Sequence, residues 1–175
     1  MRTSNLICLG IDPGLARVGY GAVMLSGSVL KALNYGCIET KPTMNFTQRL
    51  LTIYNSLQEQ INLCSPDFLS VERLFFGRNT TTAEYVYQAR GVIMLLSAQN
   101  NLRVVEPKPN QIKLLVCGSG KAEKKQVQSM MQKVLELDEI PKPDDTADAL
   151  AAAITGLSLE AAKSFTSFED NTENS

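Results

Sequence analysis

The sequence predicts an α/β domain built on a mixed five-stranded sheet flanked by helices. Two observations carry this. Three runs of strand formers follow one another near the N-terminus, and helical and strand patterns then alternate to the end of the chain. Ile7 to Ile11, Gly19 to Leu25 and Val29 to Thr40 are separated by glycine-containing turns and read as an antiparallel meander. A helix follows from about Phe46 to Leu63, with Leu50, Ile53, Tyr54, Leu57 and Ile61 on one face. "SPDFLSVERLFF" supplies a breaker and a strand from Phe68 to Leu74, with Glu72 near its end. A second helix runs from Thr81 to Gln99. Its later part, "GVIMLLSA", is apolar almost all round and is either deeply buried or half of a subunit interface. "RVVEP" reads as a short strand, and "NQIKLLVCG" as a short helix stopped by Gly118. A helix from Lys121 to Leu137 aligns Val127, Met130, Met131, Val134 and Leu137. Pro141 and Pro143 then break the chain before the last helix, "DDTADALAAAITGL".

The 175 residues suit one domain, residues 1–158, followed by a polar, acidic tail at 159–175 that is expected to be disordered. A hydrophobic fraction of 44% and a charged fraction of 20% are ordinary for a globular protein. No apolar run approaches the roughly 18 residues of a membrane span, and the N-terminus lacks a signal-peptide pattern. Cys8, Cys37, Cys64 and Cys117 are widely separated, without a C-x-x-C pair, as expected of reduced thiols in a cytoplasmic protein. The histidine count of zero is more decisive. It excludes Ser-His and Cys-His catalysis, a histidine base and histidine-ligated zinc. Chemistry here must use carboxylates, lysines, hydroxyls, thiols or a metal held by oxygen.

Four carboxylates stand beside apolar residues instead of on a charged surface: Asp12, Glu72, Asp145 and Asp148. Asp12 ends the first strand, although Asp-Pro-Gly also fits the start of a β-turn. Asp145 and Asp148 are three apart on a helix, about 60° in projection, so both can face one point. Asp144 or Asp145 can cap that helix after Pro143, but Asp148 lies a turn inside. If the four converge, each pair at 4 Å repels by about 4 kcal/mol at an effective dielectric of 20. Such a cluster must take up protons or hold cations. All-oxygen ligands without histidine favour Mg²⁺ or Mn²⁺, and two such ions suit in-line displacement at phosphorus. Net charge is -1, but Arg103 to Lys133 carries seven basic and two acidic residues, a local +5. That is either a solvated face or a polyanion contact.

"GIDPG", "VERLFFGRNTTTA", "QARGV", "GSGKAEKKQV" and "DDTADALAAAIT" stand in the order and approximate spacing of RuvC, the family of bacterial Holliday-junction resolvases. The resemblance covers about residues 6 to 156. It implies a ribonuclease H-like fold and a metal-dependent endonuclease that resolves four-way DNA junctions by paired symmetric nicks. The family's catalytic acids fall on Asp12, Glu72, Asp145 and Asp148. The D-x-x-D spacing favours Asp145 over Asp144. Some relatives place histidine near the last pair; this chain is of the all-carboxylate type. The resemblance further implies Mg²⁺, replaceable by Mn²⁺, with two ions per site. Phe75 matches an aromatic that stacks on a base at the opened crossover, although a core phenylalanine is the plainer reading of the residue alone. Lys113 and Lys124 match lysines near the DNA phosphates, and Lys124 also suits charge developing on the scissile phosphate. Lys121 and Lys125 extend the patch, and Arg78 and Asn79 lie in a loop that can touch phosphate. The resemblance implies a homodimer working with the RuvA and RuvB branch-migration complex, with the helix from Thr81 to Gln99 as the candidate interface.

Three other readings compete. A nuclease of the same superfamily that processes structured RNA would use the same carboxylates. A sugar-kinase or actin-like ATPase also opens on "GID-x-G", but needs two lobes and about twice the length. A non-catalytic junction-binding protein would have no use for the carboxylate quartet.

Overall fold

The computed structural model describes residues 5–74 and 83–172. β1 (Leu6–Asp12), β2 (Arg17–Ser26) and β3 (Val29–Glu39) form the expected meander. α1 (Phe46–Cys64) leads into β4 (Phe68–Val71), and α2 (Ala83–Gln99) into β5 (Arg103–Val105). α3 (Pro109–Cys117), α4 (Lys124–Val134) and α5 (Asp144–Thr172) complete the chain. The five strands stand in the order β3-β2-β1-β4-β5, with β4 parallel to both β1 and β5. The sheet is therefore mixed, its antiparallel half made by hairpins and its parallel half by helical crossovers.

Strand alternation sends side chains to two separate cores. On one face Leu9, Ile11, Val18, Leu69 and Val71 pack against Ile53 and Leu57 of α1 and Ile93 and Leu96 of α2. On the other, Cys8, Val23 and Phe68 meet Ile112 of α3, Val127 and Met131 of α4, and the alanine-rich run Ala147–Leu157 of α5. α5 lies unusually close to the sheet. A Cβ on Gly10 would stand 2.0 Å from the Ala149 carbonyl oxygen, and one on Gly19 would stand 1.9 Å from that of Asp145. Ser70 Oγ donates to the Ala152 carbonyl at 2.6 Å, closing the contact from β4. The small alanine side chains of α5 allow this close approach, and glycines on the facing strands supply the other half of it.

Several boundaries differ from expectation. β4 ends at Val71, short of Leu74, although the Arg73 N–H still donates to the Pro107 carbonyl beyond β5 at 3.0 Å. α4 starts at Lys124, not Lys121: Ala122 closes a turn onto Ser119, and Glu123 is extended as the N-cap. α5 continues to Thr172, well past residue 158, so the stretch expected as a disordered tail is helical backbone to that point. Arg103 of β5 pairs with Glu160 at 2.6 Å and holds that extension to the sheet. α2 is neither wholly buried nor wholly apolar outside: Ala89, Ile93 and Leu96 are buried, whereas Leu95 is 57% exposed. All four cysteines are free, with Cys8 and Cys64 buried. Among the described residues no helix is long and apolar enough to cross a membrane.

Candidate active site

The strand period places the first two carboxylates. Cys8, Gly10 and Asp12 of β1 face α5, as do Phe68 and Ser70 of β4. Glu72 continues that phase one residue beyond β4, and its N–H still donates to the Ile11 carbonyl at 3.1 Å, extending the parallel ladder. Asp12 and Glu72 therefore leave neighbouring strands at the same end and on the same face. The helix supplies the other two. Gly19 pairs with Asp12 in the β1–β2 register and lies against the Asp145 backbone, so the first turn of α5 starts over the end of β1. Asp145 and Asp148 fall on its sheet-facing side.

Mutual repulsion and burial dominate the electrostatics. Burial raises the Asp12 carboxyl well above its usual range; Glu72, Asp148 and Asp145 push it further, against Lys124. Glu72 is pushed up to about 7, by burial first and then by Asp148, with Lys113 and Lys124 opposing. Burial also raises Asp148, with Lys124 and Lys113 opposing and Asp144 and Asp145 adding to the rise. Lys113 and Lys124 are thus the cations that oppose the rise at Glu72 and Asp148. Lys121 is exposed in the turn before α4, and Lys125 instead lines a groove with Cys117, Ser129 and Lys133. Phe75, Arg78 and Asn79 lie outside the described residues.

Asp144 and Asp145 separate clearly. Asp144 accepts a hydrogen bond from Lys124 Nζ, which holds its carboxyl below the usual range. Asp145 points toward Arg17, whose Nε lies 3.1 Å from Oδ2 but is misaligned for a hydrogen bond, so that buried oxygen has no donor. Arg17 escaped the sequence reading. The only available signal was that a hairpin of this length returns the chain beside Asp12. Also unforeseen was the support of that turn: Thr40 Oγ1 donates to the Leu15 carbonyl at 2.6 Å and accepts from Arg49 Nε at 2.8 Å. A cavity of about 390 Å³ opens beside Asp145, lined by Gly14, Leu15, Arg17, Arg49 and Tyr85.

Among the described residues no group of three or more acidic or cysteine side chains is arranged to hold a metal ion as it stands. The donor set nevertheless fits a hard divalent cation. It offers carboxylate oxygens that repel one another, three raised carboxyls and one buried oxygen left unsatisfied.

A sheet of this order, with carboxylates gathered where β1 and β4 end beneath the last helix, defines a ribonuclease H-like domain of the nuclease type. Its relatives narrow the class. The family model described as crossover junction endodeoxyribonuclease RuvC matches residues 8–156. The enzyme of that name from Heliobacterium modesticaldum is 51% identical over 149 residues, covering 85% of this chain and 92% of the relative. That from Alkaliphilus metalliredigens is 49% identical, covering 85% and 91%. The structure of Thermus thermophilus RuvC superposes with a TM-score of 0.78 at 31% identity, covering 86% of this chain and 92% of that one. The same protein in complex with Holliday junction substrate gives 0.80 at the same identity and coverage. The chain belongs to the RuvC family of crossover junction endodeoxyribonucleases.

Proposed function

We propose that the chain is a Holliday-junction resolvase that nicks two symmetrically placed strands of a four-way DNA junction. The observation that carries this is the convergence of Asp12, Glu72 and Asp148 into one coupled cluster within a chain of this family. Asp12, Glu72, Asp145 and Asp148 would hold two Mg²⁺ ions, with Mn²⁺ as a substitute. When bound, such ions acidify a water and neutralise charge on the phosphate. The chain's own residues do the rest. The carboxylates orient the incoming water in line with the scissile bond, and the sheet and α5 hold them there. Lys113 and Lys124 face the phosphate and offset its charge as it grows. Phe75, with Arg78 and Asn79, stabilises the opened crossover by stacking and phosphate contact, worth roughly 1–3 kcal/mol per stacked base. Lys121 and Lys125 extend the contact along a DNA arm.

Two symmetric nicks require two active sites, and the outward face of α2, with Gly91, Leu95 and Ala98 exposed, is where a second copy docks. The branch-migration proteins RuvA and RuvB would deliver the junction, and four free cysteines fit the reducing cytoplasm. The test is cleavage of matched substrates by the purified protein in Mg²⁺. The four-way junction is cut in two opposed strands, while linear duplex and structured RNA of the same sequence survive. Preferential cutting of the RNA would assign the site to RNA processing instead.

A further inference from the structure

Asp144 has the sequence credentials of a metal ligand but not its surroundings. It opens α5 and is bracketed by two cations: Lys124 Nζ donates to Oδ2, and Arg17 Nη2 stands 3.8 Å from Oδ1. Asp144 raises Asp148 through its charge, as Asp145 does, but it is absent from the main influences on Asp12, where Glu72, Asp148 and Asp145 act. Lys124 has a problem that this arrangement solves. It is the first residue of α4, directly after the extended Glu123, and its side chain is 64% exposed. A lysine so placed would sample many rotamers, since its four-carbon stem is long and flexible. Yet its ammonium is held at the edge of the site: it meets Asp144, which adjoins Asp145 at the start of α5, and one Arg17 guanidinium reaches both carboxylates, at 3.8 and 3.1 Å. The tether to α5 keeps it there, because α5 also carries Asp145 and Asp148 and is pinned to the sheet at Gly19.

We propose that Asp144 is a positioning residue: its carboxylate holds the Lys124 ammonium over the carboxylate cluster, where the scissile phosphate must lie, and does not ligate metal. Arg17 Nη2 stands 3.8 Å from the other carboxylate oxygen, beyond hydrogen-bond reach, and adds a second positive charge beside Asp144. The proposal rests on the functional reading above, in which Lys124 serves the phosphate.

A double-mutant cycle tests it, with Asp144→Asn, Lys124→Gln and the double variant. Cleavage of saturating four-way junction is followed in a single turnover with Mg²⁺, and junction binding is measured in Ca²⁺. Asp144→Asn slows the single-turnover step at least about tenfold while junction affinity stays within about twofold. The double variant is no slower than Lys124→Gln, because Asp144 acts only through that lysine. Losses that multiply, or an Asp144→Asn enzyme with the wild-type rate, overturn the proposal. A second readout needs no activity. In metal-free protein, trace acetylation followed by mass spectrometry finds Lys124 protected relative to Lys121 and Lys125, and Asp144→Asn removes the protection. A helix-capping role would lower the melting temperature without changing the labelling pattern. A ligand role would abolish the Mg²⁺-induced rise in melting temperature of Asp144→Asn. Either result overturns the proposal. Wild-type protein that leaves junctions intact refutes the functional reading; wild type that cuts them while Lys124→Gln cuts equally fast refutes this proposal alone.

Discussion

At the scale of single residues, burial and mutual repulsion set the character of the carboxylates, and both have measurable consequences. Glu72 is raised from an ordinary value of 4.5 to about 7 in the folded protein. Folded chains therefore retain a proton that unfolded chains have lost. The stabilisation is complete below about pH 4.5 and disappears as pH rises through about 7. A shift of this size is worth up to about 3 kcal/mol. Denaturation of metal-free protein should show lower stability at pH 8 than at pH 5, with a smaller difference in Glu72→Gln. An unchanged difference in that variant would remove Glu72 from the cluster. Phe75 offers a second test, in which its two roles give opposite results. As a stacking residue, Phe75→Ala leaves the melting temperature unchanged and slows cleavage of a fully paired junction more than one already opened at the crossover. A core residue would instead cost about 3–5 kcal/mol of stability, and both substrates would suffer alike.

At the scale of elements, the site is the intersection of two periodicities. Period two in β1 and β4 brings Asp12 and Glu72 to the same face, and helical spacing brings Asp145 and Asp148 together. The alternation of strands and helices is written in the sequence, as is the helical spacing of Asp145 and Asp148, whereas Asp12 and Glu72 stand out by their apolar neighbours and by the family resemblance. Contacts between segments distant in the chain leave no such trace. The Arg17–Asp145 pair depends on α5 docking onto the β1–β2 hairpin, and the Thr40–Leu15 support joins the end of β3 to the turn after β1. The continuation of α5 past residue 158 likewise has a distant partner, Arg103 against Glu160, that local propensity does not reveal. Docking of α5 is tested at Gly19. A Cβ there would stand 1.9 Å from the Asp145 carbonyl oxygen, so Gly19→Ala must push the helix start away from the sheet. Overpacking of this kind costs about 1–3 kcal/mol. Displaced carboxylates should slow cleavage by about a hundredfold even where the protein is fully folded. Wild-type cleavage by a stable Gly19→Ala protein would show that the close approach does not position the site.

For the whole molecule, the fold places one carboxylate cluster per chain at one end of the sheet, and the exposed stripe on α2 lies on the opposite face from α5. A dimer formed through α2 would set two such clusters symmetrically, matching a junction whose two continuous strands are related by a two-fold axis. Leu95→Glu, at a position 57% exposed in the isolated chain, should convert a dimer to a monomer in analytical ultracentrifugation. A Leu95→Glu protein that remained dimeric would place the interface elsewhere. Near-neutral overall charge with a local basic segment fits discrimination by junction shape over general affinity for duplex. The central claim is that the carboxylate cluster cuts junction DNA with the help of divalent cations, and one cleavage experiment tests it most directly. A labelled four-way junction is incubated with wild-type protein or Asp12→Asn, in Mg²⁺ or in chelator, and the products are resolved on a denaturing gel beside a binding assay. Wild-type protein in Mg²⁺ should yield two opposed nicks, while chelator or Asp12→Asn should abolish cutting and leave the junction bound. Full cleavage in chelator, or by Asp12→Asn, would contradict the account.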